Sequence, residues 1–98
     1  GAERIFRWLL KKRPDDPKLY YNFGLLMAKQ GKDTEAIEAF DRAVKLRPDY
    51  PAVYNYMGMI LLRRGNRTGA CHFFDRALKV QRNFYPAQKN KESFCREP

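Results

Sequence analysis

The sequence predicts an all-α protein built from antiparallel helix hairpins, and three observations carry this prediction. Residues 17–50 and 51–84 align without a gap at an offset of 34 residues. Within each segment, apolar residues recur at spacings of three and four, as they do on one face of a helix. A glycine, Gly31 or Gly65, separates the two periodic stretches of each segment, where a helix would end.

The internal repeat includes small, aromatic and charged residues. Such a series of identities at one fixed offset is not expected by chance, and a fixed period indicates stacked supersecondary units. The identical positions are Pro17/Pro51, Tyr20/Tyr54, Gly24/Gly58, Gly31/Gly65, Thr34/Thr68, Ala36/Ala70, Phe40/Phe74, Asp41/Asp75, Arg42/Arg76, Ala43/Ala77 and Lys45/Lys79.

Helix start signals agree with this phasing. Asp16 offers a side-chain acceptor immediately before Pro17, a residue that suits the first turn of a helix. Asp33 is predicted to cap the second helix, with Glu35 near its positive end. Gly24 and Gly58 lack a Cβ atom, so the helices of a hairpin can approach closely, while Phe40 and Phe74 are expected to fill the space between hairpins.

These residues resemble the signature of the tetratricopeptide repeat. The resemblance implies a right-handed superhelical stack of antiparallel helix hairpins, an α-solenoid. The first copy of the signature comprises Tyr20, Phe23, Gly24, Met27, Ala36, Phe40, Ala43 and Pro48, and the second comprises Tyr54, Met57, Gly58, Leu61, Ala70, Phe74 and Ala77.

The repeat phasing divides one predicted domain, residues 1–98, into four parts. Residues 2–14 correspond to the second helix of a partial repeat, and residues 17–50 and 51–84 are the two repeats. Residues 85–96 are either a capping helix or the first helix of a truncated repeat. The inner stripe of this last helix is expected to consist of Ala87, the Lys91 methylenes, Phe94 and Cys95.

Composition bounds the cellular setting only loosely. No apolar run approaches the roughly 20 residues that a membrane-spanning helix needs, so no membrane insertion by this segment is expected. Two cysteines, Cys71 and Cys95, are too few for a disulfide framework and are expected to be reduced thiols in a cytoplasmic protein. A secretory lumen stays open as the alternative, and Asn66-Arg67-Thr68 is formally a glycosylation sequon that arises often by chance.

The pattern of reactive side chains does not indicate an enzyme. His72 is the only histidine and has no acid at helical spacing other than Asp75, so it lacks the partners a general base requires. The acidic residues are dispersed, and no glycine-rich phosphate loop is present. We therefore expect no catalytic residues, no cofactor site and no metal site.

The resemblance implies a function in protein–protein interaction, because in this family the stacked first helices line a concave groove that takes peptides. The residues left over on these helices mix aromatic, apolar and amide groups with a basic fringe, as a peptide site requires. The same residues could instead pack on a neighbouring repeat or a partner chain. The predicted groove residues are Lys18, Tyr21, Asn22, Leu25, Lys29, Asn55, Tyr56, Met59, Leu62 and Arg63.

The sequence suggests two further partners, RNA and a second copy of this chain. The formal net charge of +9 makes RNA an alternative ligand, but the aromatic residues belong to the core signature and no base-reading pair recurs, so nucleic acid ranks below peptide. The repeat register begins mid-repeat at Ala2, and the first helix is apolar on more than one side. Self-association of array ends is therefore predicted through Ile5, Trp8 and Leu9.

Overall fold

The computed structural model describes residues 1–96, which form six α-helices and no strand. The contacts divide the chain into an N-terminal unit, Gly1–Pro48, and a C-terminal unit, Asp49–Pro98. This confirms the predicted all-α class. The helices are α1 (Ala2–Lys12), α2 (Pro17–Lys29), α3 (Asp33–Leu46), α4 (Pro51–Arg63), α5 (Arg67–Val80) and α6 (Tyr85–Phe94).

Each hairpin is closed by a phenylalanine ring that lies against a glycine. A Cβ atom at Gly24 of α2 would lie 2.5 Å from Cε1 of Phe40 on α3, and both rings, Phe40 and Phe74, are fully buried. The C-terminal unit repeats this contact, with 2.5 Å between a Cβ at Gly58 and Cε1 of Phe74. The two phenylalanines therefore fill the space within their own hairpins, where only glycine leaves room for the ring, and this corrects the expectation that they fill the space between hairpins.

A second contact is also repeated in the two hairpins. The guanidinium of Arg42 on α3 lies 5.8 Å from the ring centroid of Tyr20 on α2, and that of Arg76 on α5 lies 4.6 Å from the ring centroid of Tyr54 on α4. Both distances are within the range of a cation–π interaction. These arginines thus contribute to the hairpin as well as to the basic charge of the protein.

The turns within the hairpins are the same and depend on positive-φ glycines. Gly31 has φ of 76° and follows the C-cap of α2; its N–H donates to the carbonyl of Ala28, and Lys32 N–H donates to Met27. Gly65 has φ of 86° and stands in the same place after α4. This bonding pattern is the Schellman motif, which confirms the predicted helix ends at the two glycines.

The predicted helix starts are right in one case and wrong in the other. Asp16 is the N-cap of α2, and its Oδ1 accepts hydrogen bonds from the backbone N–H groups of Lys18 and Leu19. Asp33 is not a cap, because α3 begins at Asp33 itself and its N-cap, Lys32, makes no side-chain cap bond. Asp33 instead places a negative charge in the first turn, where the helix dipole favours it.

Helix α1 packs on α2 through aromatic contact. The rings of Phe6 and Phe23 lie 6.1 Å apart, and the guanidinium of Arg7 lies 5.2 Å from the Phe23 ring. Glu3 accepts from Arg7 at 3.0 Å and pairs with Lys32 at 3.4 Å. Hydrogen bonding from Arg7, followed by the pairing with Lys32, lowers the pKa of Glu3, so this attraction is lost as the pH falls through that lowered pKa.

Helix α6 is joined to α5 by a disulfide bond, and the prediction of reduced thiols is wrong. Cys71 of α5 and Cys95, the first residue after α6, are bonded with their Cα atoms 5.8 Å apart. Ala87 is buried as predicted, but Phe94 is 41% exposed, so it does not belong to the inner stripe. Lys91 pairs with Asp75 through its Nζ at 2.7 Å, in addition to any packing of its methylenes.

The glycine–phenylalanine contact generates a stability prediction. Gly24→Ala should lower the free energy of unfolding by about 1–3 kcal/mol, because the new methyl group overpacks the Phe40 ring by more than improved helix propensity returns. In chemical denaturation, Phe40→Leu should cost less in the Gly24→Ala background than in the original chain. Phe74→Leu, which removes the ring next to Gly58, is the control and should cost the same in both backgrounds; additivity at Phe40 would contradict the contact.

The disulfide generates a second stability prediction. Cys95→Ser should lower the free energy of unfolding by about 3 kcal/mol, since the bond constrains the unfolded chain between residues separated by 24 positions. A reducing agent should bring the original chain to the stability of the variant and leave the variant unchanged. Equal stability of the two proteins under oxidising conditions would show that the bond does not form.

Candidate functional site

The C-terminal unit carries a polar cluster where α4 meets α6. Asn55 of α4 is only 4% exposed, and its Oδ1 accepts a hydrogen bond of 2.9 Å from Nδ2 of Asn90 on α6. Its own Nδ2 lies 3.8 Å from the sulfur of Met59, one turn further along α4. Both polar atoms of the buried Asn55 amide thus have a partner, and the hydrogen bond between Asn55 and Asn90 holds α6 beside α4.

Met59 brings apolar surface to the edge of this cluster. Met59 is 41% exposed, although its sulfur lies next to the buried amide of Asn55. Tyr56 and Leu62 on the same helix are half-buried, and Arg63 is exposed. We call the surface of Tyr56, Met59 and Asn90 the α4–α6 face. Asn55 lies beneath this face and is not part of it, because it is buried and both polar atoms of its amide have partners within the C-terminal unit.

Helix α2 presents a corresponding stripe in the N-terminal unit. Lys18, Asn22, Leu25 and Lys29 follow one another at helical spacing, on the side opposite the buried Phe23, Gly24 and Met27. Asn22 and Leu25 are half-buried, and both lysines are exposed. Tyr21 also packs within the hairpin, because its ring centroid lies 6.1 Å from that of Phe40.

Two residues of the α6 surface were missed by the sequence analysis. Lys89 and Asn90 stand 34 positions after Asn55 and Tyr56, so the repeat offset already contained the signal. It was not used, because residues 85–96 had been left open between a capping helix and the first helix of a truncated repeat. The hydrogen bond between Asn90 and Asn55 shows that α6 adds side chains to the α4 surface.

Helix α1 exposes the residues that were predicted to self-associate. Ile5 is 61% exposed, Trp8 is 59% exposed, and Leu9 is half-buried. The ammonium of Lys12 lies 5.6 Å from the centroid of the Trp8 ring, so the outer side of α1 combines apolar and positive groups.

No group of three or more histidine, cysteine or acidic side chains in residues 1–96 could hold a metal ion. His72 is exposed and borders a shallow depression of about 300 Å³ together with Arg67, Asp75 and Arg96. None of the helices in residues 1–96 has the length and apolar character that crossing a membrane requires.

The repeated hairpins and the exposed surfaces of their first helices define an α-helical repeat protein. Profiles of two families match the sequence: one described as TPR repeat over residues 28–65, and one described as tetratricopeptide repeat over residues 52–83. Together they span more than half of the chain, and the resemblance noted in the sequence is confirmed. The chain belongs to the tetratricopeptide repeat family.

Solved structures agree with this assignment. YrrB, a TPR protein with an unusual peptide-binding site, superposes with a TM-score of 0.89 at 21% identity over 93% of this chain. The first TPR of Spaghetti (RPAP3), bound to the HSP90 peptide SRMEEVD, superposes with a TM-score of 0.87 at 19% identity over 96% of this chain. SycD of Yersinia enterocolitica, in complex with a peptide of the translocator YopD, gives 0.82 at 16% identity over 96%.

At these identities the similarity shows the fold alone. The chain spans about half of YrrB, 47% of its length, and 75% and 72% of the other two chains. No curated protein matches the sequence.

The exposed side of α1 generates a prediction of self-association. We expect association that rises with protein concentration through Ile5, Trp8 and Leu9, because burying the two exposed side chains removes apolar surface from water. Sedimentation velocity over a wide dilution series, with Trp8 fluorescence as the local probe, tests this. Trp8→Ser should abolish the association, while Leu46→Ser, at an exposed apolar position on α3, should not; a monomer at every concentration would contradict the prediction.

Proposed function

We propose that this chain is a protein-interaction module that binds a peptide or protein segment. The binding surfaces are the outward stripes of the first helices, which comprise Lys18, Asn22, Leu25 and Lys29 on α2 and Tyr56 and Met59 on α4. The observation that carries the proposal is the exposure of Met59 next to the buried amide of Asn55, which is hydrogen-bonded to the half-buried Asn90. A flexible, polarizable methionine adapts its shape to an apolar side chain of a partner. The family consists mainly of non-catalytic interaction modules, which supports the same conclusion.

The amides provide the polar part of such a site. The side chain of Asn22 makes no hydrogen bond within residues 1–96, and Asn90 uses one N–H group, leaving its Oδ1 without a donor there. Half-buried amides with spare capacity suit the N–H and C=O groups of an extended peptide. Within each unit the amide would then hold the backbone of the partner, while the apolar residue of that unit, Leu25 or Met59, contacts its side chains.

The charges favour an acidic segment. Lys18, Lys29 and Lys89 are exposed and have no carboxylate partner within residues 1–96. Positive charge at the rim of an interface speeds association with a negative partner and selects against a positive one. Two structural neighbours support binding of peptides in general, since they hold the HSP90 peptide SRMEEVD and a YopD peptide.

RNA binding is less well supported. Several cations of the second helices already have partners within their own hairpins: Arg42 and Arg76 lie over tyrosine rings, and Lys45 pairs with Asp41 at 2.9 Å. The outward stripes do not repeat one pair of base-reading side chains, because Asn22 and Leu25 are replaced by Tyr56 and Met59.

A matched pair of double variants tests the proposed stripes. Leu25→Ser with Met59→Ser should reduce the affinity for peptides selected from a displayed random library about tenfold or more, because each change removes one apolar side chain that contacts the peptide. Leu46→Ser with Val80→Ser is the control: these residues are also exposed, apolar and one repeat apart, but they end the second helices. Equal loss in both double variants, or none in the first, would refute the assignment to α2 and α4.

A further inference from the structure

The disulfide bears on the compartment in which the protein works. Cys71 and Cys95 are held with Cα atoms 5.8 Å apart, within the usual range for a disulfide. Such bonds persist in oxidising compartments and are rare where glutathione keeps thiols reduced. A metal does not explain the pairing, because no third ligand joins these two cysteines within residues 1–96. An oxidising lumen or the cell exterior fits the bond better than the cytoplasm that the sequence suggested.

The same unit exposes a complete acceptor sequence for N-glycosylation. Asn66-Arg67-Thr68 has the required asparagine and threonine, and the residue between them is not proline. Asn66 and Thr68 are both exposed, at the start of α5. Thr68 also borders the open depression of about 300 Å³ beside the disulfide, so no packed element covers that side of the sequon.

The amide of Asn66 is oriented with its reactive nitrogen unused. Its Oδ1 accepts a hydrogen bond of 2.9 Å from the backbone N–H of Gly69, while Nδ2 has no hydrogen-bond partner within residues 1–96. A Cβ atom at position 69 would lie 2.8 Å from this nitrogen. The same Cβ would lie 3.0 Å from Cγ and Oδ1, so glycine at position 69 leaves room for the whole amide of Asn66. The first repeat has Glu35 at the equivalent position.

We propose that the protein works in an oxidising compartment and that Asn66 carries an N-linked glycan there. In the transfer, Nδ2 of Asn66 loses one proton and bonds to the anomeric carbon of an oligosaccharide. The bond from that carbon to the oxygen of a lipid pyrophosphate breaks, and the lipid pyrophosphate leaves with the electron pair and takes up the proton that Nδ2 loses. Oδ1 is unchanged, so the cap bond to Gly69 is kept in the modified protein.

A simple capping role for Asn66 is the alternative explanation, and one variant separates the two. Asn66→Asp keeps a side-chain acceptor for the start of α5 but removes the nitrogen that bonds the sugar. Thr68→Ala removes the sequon hydroxyl at an exposed position, and Thr68→Ser retains it. Together these variants distinguish loss of the sequon from loss of the helix cap.

The experiment expresses residues 1–98 behind a cleavable secretory leader in eukaryotic cells. Gel mobility and intact mass are measured before and after peptide-N-glycosidase treatment, and free thiols are counted by alkylation. We expect one removable glycan on the original chain and on Thr68→Ser, none on Thr68→Ala or Asn66→Asp, no alkylation of Cys71 or Cys95, and the same helical circular dichroism throughout.

Two results would overturn the proposal. An original chain that is helical and oxidised but carries no glycan would show that Asn66 serves only as a cap. Alkylation of Cys71 and Cys95 in the folded, secreted protein would show that the disulfide bond does not form. An oxidising compartment would then have no support from these two cysteines.

Discussion

The close approach of a phenylalanine ring to a glycine in each hairpin is the contact on which the rest of the structure depends. Phe40 against Gly24, and Phe74 against Gly58, fix the distance and rotation of the two helices in each unit. Both rings are fully buried, so a change in the volume of either ring or of its glycine would disturb the packing of the hairpin. The outward stripe of each first helix follows from this constraint, because it lies opposite the face that receives the ring.

The two repeats keep the same glycine–phenylalanine contact and differ on the outward stripe. Glycine and phenylalanine are identical in both, whereas Asn22 and Leu25 of α2 become Tyr56 and Met59 of α4. Packing explains the first observation, since a change of even one methylene group is felt in a dense core. Side chains outside the core are free to diverge, and the properties that would distinguish one partner from another are therefore concentrated there.

Helix α6 shows how one element can serve both packing and surface. Its buried Ala87 packs in the C-terminal unit, while Asn90 binds Asn55 and completes the α4–α6 face. The bond between Cys71 and Cys95 holds its end to α5. A polar helix with a single buried residue has little apolar area to stabilise its position, and the covalent bond together with the amide pair supplies what burial does not.

The sequence by itself determined the helices, their hairpin pairing and the family, because the period of 34 residues and the glycine at the end of each first helix are visible in the chain without knowledge of its folding. It also identified Gly24 and Gly58 as sites of close helix packing. Only the tertiary structure decided that Cys71 meets Cys95, that Asn55 is buried rather than open to a partner, and that the N-cap of α3 is Lys32 rather than Asp33. The two cysteines are separated by 24 residues and the two asparagines by 35, and a helical pattern describes one helix at a time. Which side chains meet across helices depends on the packing angle and distance, which the closed hairpins set.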